Sequence, residues 1–253
     1  MPPGLDTSRD GRVLRVTLNR AEKRNALTGE MCEAIVDAFE SAQRDAAVGA
    51  VLIAAHGPVF CAGMDLHESL AADAAEKTAV HEALFTAGAR ATKPIIAAVQ
   101  GPALAGGVGL VANAHIAIAA QGCTFGLTEI RIAMWPYVVF RAVKAAVGER
   151  RATELSLTGR IFGTHEALQW GLIHQVTPPF ELEDRAAAVA SEVANWSADA
   201  IARGLDFARR SRGLPDEEAG RLALEMRAGA LASGDFQEGV RAFQEKRRAR
   251  WNQ

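Results

Sequence analysis

Residues 101–114, GPALAGGVGLVANA, set four glycines and a proline into a segment that otherwise reads as buried core. A glycine inside a helix costs about 1 kcal/mol relative to alanine, so something other than helix propensity decides this stretch. Three uses fit it. Glycine lets a helix approach a neighbouring strand or helix with no Cβ in the way. Gly107-x-Gly109-x-x-Ala112 also fits the G-x-G-x-x-G/A spacing of a dinucleotide site, with Glu129 about 20 residues further on. Against that use, Gly101–Ala105 is a long connector where the motif needs a tight turn, and Glu129 lies beyond a further turn. In the third use, a helix beginning near Gly106 presents N–H groups without intrahelical partners at the positive end of its macrodipole. A bare glycine backbone then lets an oxygen approach, which supplies half of an oxyanion hole.

A second donor is wanted at the same oxygen. FCAGMDL (60–66) is the other glycine turn in this part of the chain. It follows AVLIAA (50–55), while the first stretch follows IIAAV (95–99), and both runs read as buried strands. If these strands are neighbours, both loops leave the same sheet edge, and the N–H groups of Met64 and Gly106 converge.

Around this centre, RVLRVTL (12–18) alternates as a strand, and 19–25 is a polar connector. Thr28 caps a helix to about Arg44, with Leu27, Met31, Ile35 and Phe39 on one apolar face. Residues 73–91 read as a helix that Lys93-Pro94 stops. HIAIAA (115–120) is a strand, and 121–129 a turn with a short extended piece. Strands alternating with helices place the chain in the α/β class. Beyond Tyr137 nearly everything is helical: 137–148, 150–158, 164–170, 180–194, 198–210, 216–231 and 235–247, with only Ile173–Val176 extended. We expect a core over 1–195 and a helical assembly region over 196–253.

A formal charge of −2 over 253 residues creates no basic field for nucleic acid or an anionic membrane. The longest apolar run is far short of the roughly 20 residues that span a bilayer. Cys32, Cys61 and Cys123 lie too far apart for a metal pair, and six single histidines give no ligand spacing. The N-terminal residues carry no apolar signal core. The expectation is a cytoplasmic protein with buried thiols.

LNRAEKRNAL (18–27), FCAGMDL, GPALAGGVGL, FGLTEIRIAMWP (125–136), LTGRIFGTHEALQWGLIHQV (157–176) and the tail SGDFQEGVRAFQEKRRARW (233–251) occur in an order and spacing that resembles the crotonase superfamily of enoyl-CoA hydratases and isomerases. The resemblance implies a spiral of ββα units with a C-terminal helical trimerisation region, assembled as a homotrimer or homohexamer. It implies an acyl-CoA substrate, with coenzyme A arriving as part of it and no tightly held cofactor. It implies that the amides of Met64 and Gly106 hold the thioester oxygen and that Glu129 is the acid/base. Arg24 and the backbone around Ala26, Ala62, Asp65 and Leu66 would lie along coenzyme A. Phe243 and Lys246 would reach the nucleotide end from a neighbouring subunit.

The chain departs from the family pattern at one decisive place. The usual hydratase has a second glutamate three residues after the oxyanion glycine, and here that residue is Gly109. Tyr137-Val138-Val139-Phe140 also replaces a frequent glycine-rich run. Hydration is easiest with two acid/base groups, whereas a 3-enoyl to 2-enoyl shift needs one that moves a proton from C2 to C4. Family hydratases and isomerases with a single glutamate both occur, so hydratase and isomerase stand as alternatives. A CoA-binding protein with little turnover is a further one, and an NAD-dependent oxidoreductase rests on the glycine motif alone.

Overall fold

The structure, a computed structural model, describes residues 4–68 and 78–251. In chain order the strands are β1 (Leu5–Asp10), β2 (Val13–Leu18), β3 (Ala50–Ala55), β4 (Ile95–Val99), β5 (Ala103–Leu104), β6 (Ile116–Ala120), β7 (Thr124–Gly126), β8 (Phe162–Gly163) and β9 (Gln175–Thr177). The α-helices are α1 (Gly29–Arg44), α2 (Thr78–Arg90), α3 (Gly106–Asn113), α4 (Tyr137–Val147), α5 (Glu149–Thr158), α6 (Thr164–Gln169), α7 (Leu182–Ala194), α8 (Ala198–Arg210), α9 (Asp216–Leu231) and α10 (Gly234–Gln244). The expected helix over 73–91 is present from Thr78; its first five positions lie outside the described residues.

The main sheet has the order β1-β2-β3-β4-β6-β9. β1 and β2 form an antiparallel hairpin, and every pairing from β2 onward is parallel. β3 and β4 read as continuous apolar runs because both faces are covered, and every residue of β4 is buried. α7 packs across β3, β4 and β6, while α1 packs against β1–β3 and α2. Thr28 accepts from Met31 N–H and starts α1 as its sequence implies.

A second, smaller sheet runs β5-β7-β8, and an isolated parallel bridge joins Cys61 to Ala103 beside it. Each long strand therefore feeds a short extended piece and then a helix: β3 to Cys61 to α2, β4 to β5 to α3, β6 to β7 to α4. This is the ββα repeat that the resemblance implies. Because β2, β3, β4 and β6 run the same way, the loops after them emerge at one edge, where ligands of open parallel sheets bind.

Beyond residue 195, α8, α9 and α10 pack on one another, and α8 touches α2. Trp251 stacks near Trp196 with ring centroids 6.3 Å apart and donates from its indole to Asn195 O at 2.8 Å. The last helix ends at Gln244, three residues short of the expected 247. Lys246 takes φ +54, and Arg247 folds back onto Glu238 at 2.6 and 3.1 Å. The basic tail Lys246–Arg248 is therefore a turn closed by an ion pair rather than a solvated helix end.

Candidate active site

β3 and β4 are hydrogen-bonded neighbours, so the two glycine loops meet at one sheet edge, as convergence of their amides requires. Leu27 N–H donates to Gly63 O and Asp65 N–H donates to Leu27 O, both at 2.8 Å. In such a parallel bridge the flanked residue, Met64, points its own N–H to the opposite side. That side faces the start of α3. Gly63 has φ +100, and a Cβ there would lie 2.8 Å from Ala105 Cβ and 3.4 Å from the Gly106 nitrogen. The close approach of the two loops requires glycine at 63.

Ala105 precedes α3 at φ +50, ψ −118, a backbone region that costs a non-glycine residue about 1–3 kcal/mol. It is held there because its N–H donates to Gly126 O at 2.8 Å and its carbonyl accepts from Val108 and Gly109. Among the described residues, neither Met64 N–H nor Gly106 N–H meets an acceptor. Gly107 serves packing instead. A Cβ there would fall 2.3 Å from Cys61 O, so α3 lies directly on the first loop's backbone. Of the three uses of the glycines, close packing is realised at Gly107, while the Gly106 N–H next to it meets no acceptor among the described residues.

Glu129 opens a 3-10 turn (Glu129–Ile132) three residues after Gly126, the residue paired with Leu104 and bonded to Ala105. β5 and β7 thus carry Gly106 and Glu129 out of the same small sheet. The carboxylate Oε2 is buried and has no hydrogen-bond partner among the described residues. Arg131 does not pair with it; that guanidinium donates to Gly159 O at 2.6 Å. Burial without a cation pushes the Glu129 carboxyl up from 4.5 to about 7. A carboxyl poised near neutrality can both take and give a proton.

At Gly109, where a second carboxylate is absent, the space is filled. A Cβ there would sit 2.7 Å and 2.8 Å from ring carbons of Phe85 and 3.2 Å from Val139 Cγ1. Both side chains are buried. Trp135 and Phe140 stack at 5.7 Å beside the start of α4.

The other candidate residues fall into two groups. Arg24 is exposed at φ +56, and Leu66 is 53% exposed. The N–H groups of Ala26, Ala62 and Asp65 are spent on Lys23 O, Arg24 O and Leu27 O, so any contact these residues make with a ligand goes through other atoms. Asp65 is a loop hydrogen-bonder: it accepts from Arg20 Nη1 at 2.6 Å, and that bond holds its carboxyl below the ordinary range. Phe243 is 85% exposed and borders an apolar groove of about 930 Å³ between α8, α9 and α10.

Arg20 and Asn25 stand in a stretch whose sequence reads only as a polar connector. Arg20 also donates to Ala26 O at 3.1 Å. The buried Asn25 side chain accepts from Arg20 N–H and donates to His56 O and Val59 O. Together they fasten loop 19–27 to loop 56–66. Their partners in loop 56–66 lie 31 to 45 residues away, where no local periodicity points to them.

Two amides without acceptors, on separate turns at one sheet edge, and a carboxyl near neutrality at the end of β7 are the parts that an oxyanion hole with an acid/base would need. The chain belongs to the enoyl-CoA hydratase/isomerase family, whose model matches residues 8–253. It is 32% identical over 254 residues to an enoyl-CoA hydratase of Mycobacterium tuberculosis, covering 97% of this chain and 95% of that one. It is 34% identical over 247 residues to a mevalonyl-coenzyme A hydratase of Aspergillus fumigatus, covering 94% and 91%. Among solved structures, an enoyl-CoA hydratase of Mycobacterium smegmatis superposes with TM-score 0.92 at 33% identity, covering 99% of this chain and all of the other. Membership sets aside the dinucleotide use of the glycines.

Proposed function

We propose that this enzyme shifts the double bond of an enoyl-CoA thioester through an enolate, with Glu129 as its single proton carrier. The observation that carries this is the Glu129 carboxyl, whose buried Oε2 has no partner among the described residues, leaving the same small sheet as Gly106, with the second acid/base position taken by Gly109. The thioester oxygen accepts from Met64 N–H and Gly106 N–H. Glu129, ionised, takes a proton from C2 of a 3-enoyl-CoA. The C–H electrons move to the oxygen and form a dienolate. The same carboxyl returns its proton to C4, and the double bond closes between C2 and C3. Arg24 and the segments around Ala26, Ala62, Asp65 and Leu66 flank coenzyme A, which enters and leaves with the acyl chain. Phe243 and Lys246 complete its nucleotide end from a neighbouring subunit of a homotrimer or homohexamer. The three cysteines are buried thiols, which suits a reducing cytoplasm.

Hydration of 2-enoyl-CoA is the second reading, favoured by the hydratase names of the similar proteins. The two separate on incubation with 3-enoyl-CoA and 2-enoyl-CoA in D₂O. A 2-enoyl product with no added oxygen supports the shift, its C4 carrying the hydrogen taken from C2 or deuterium where the carboxyl exchanged with solvent first. A 3-hydroxyacyl product means hydration. Acyl-CoA binding with no turnover of either substrate overturns both in favour of a binding protein.

A further inference from the structure

We propose that Phe85, standing in the space that Gly109 leaves vacant, is the residue that keeps water from the enolate and commits the site to a double-bond shift; this rests on the isomerase reading above. The ring lies along the direction in which any side chain from position 109 would project, at 2.7–2.8 Å from that Cβ position. Its Cζ is 3.1 Å from the Cβ position of Gly106, so the same ring backs the amide that faces the oxyanion. Val139 closes the remaining side at 3.2 Å.

The ring has nowhere to retreat. Phe85 is 1% exposed. Its carbonyl accepts from Asn113 Nδ2 at 2.6 Å, and Gly88 N–H donates to Asn113 Oδ1 at 3.3 Å. A Cβ at Gly88 would lie only 1.9 Å from Asn113 O, so α2 and α3 touch backbone to backbone. The position of Phe85 relative to α3 is fixed by these contacts.

The chemical consequence concerns where water can be held. Hydration joins a water oxygen to C3 and puts a proton on C2. A water aimed at C3 needs two to four polar partners. An aromatic edge and a valine methyl supply none, and no carboxylate is present at position 109. With no nucleophile seated at C3, the proton on Glu129 goes to C4. Loss of the glutamate and gain of the ring are one device: restoring the carboxylate alone does not restore hydration, because its path is occupied.

The test compares Gly109→Glu, Gly109→Glu with Phe85→Ala, and Phe85→Leu, scoring 3-hydroxyacyl-CoA against shifted enoyl-CoA by mass. The double variant, which exchanges ring volume for carboxylate volume, is expected to raise the hydroxyacyl share at least tenfold over the unmodified enzyme. Gly109→Glu alone is expected to leave that share unchanged while slowing turnover. Phe85→Leu, which keeps an apolar core side chain and removes the ring edge, is expected to raise the share about threefold and decides the matter if the double variant does not fold. Equal hydration by Gly109→Glu alone and by the folded double variant overturns the proposal, as does an unchanged share in Phe85→Leu. An unmodified enzyme that shifts double bonds while these variants fail sinks only the role of Phe85. One that chiefly hydrates, or turns over neither substrate, sinks the isomerase reading with it.

Discussion

Replacing Glu129 by glutamine separates what this carboxyl does for chemistry from what it costs the fold. Burial raises it from 4.5 to about 7. Between those values the folded state keeps a proton that the unfolded chain has lost, so the folded state binds more protons and stability falls as pH rises through that window. A difference of this size corresponds to roughly 3 kcal/mol of stability, fully present below pH 4.5 and lost by pH 8. Glutamine does not titrate, so Glu129→Gln gains about 3 kcal/mol on the unmodified protein between pH 4.5 and pH 8. At about 2–4 °C per kcal/mol for a chain of this size, the Tm difference between the two proteins moves by roughly 6–12 °C across that range. Calorimetry at the two pH values reads it, and the pH dependence of the difference is diagnostic because any fixed cost of the buried amide cancels. The same variant loses about 10²–10⁴ in turnover. A Tm difference that stays flat with pH would refute a desolvated Glu129 carboxyl with no cation beside it.

kcat/KM for the double-bond shift rises about tenfold from pH 6 to pH 8, following the ionised fraction of a group near 7, as a pH–rate profile reads. Gly107→Ala pushes a methyl to 2.3 Å from Cys61 O and costs about 1–3 kcal/mol in urea unfolding, together with most of the activity. Arg20→Ala leaves the nearly buried Asp65 carboxylate without its cation; KM for the CoA thioester rises more than kcat falls, and stability drops by about 1–3 kcal/mol. Met64→Ala keeps the donating amide and changes kcat by less than about threefold, against roughly 10²–10³ for loss of an oxyanion donor.

The parts of the fold that were legible are those in which local pattern and burial agree. AVLIAA and IIAAV announce β3 and β4 because no polar residue interrupts them. The four-residue recurrence from Leu27 to Phe39 announces α1. β1 carries no such signal, since LDTSRD is mostly polar: it is the sheet's edge strand, with only Leu5 buried. β5 and β8 are two residues long and take their conformation from β7, which no window of sequence reveals. At the site, the glycine loops and Glu129 stood out by motif. The Arg20–Asp65 clamp and the ring of Phe85 against Gly109 did not, because each depends on residues 24 to 45 positions apart meeting in space. The gap at position 109 was visible as a missing carboxylate, but what fills it is a matter of volume.

The proposed oxyanion hole requires the Met64 and Gly106 amides to share one acceptor. A crystal structure with a non-reactive acyl-CoA thioester bound measures this directly. Both nitrogens are expected within about 2.7–3.1 Å of the thioester oxygen, with Glu129 adjacent to C2. A thioester oxygen held by a side chain, or by one amide while the other faces away, would contradict it.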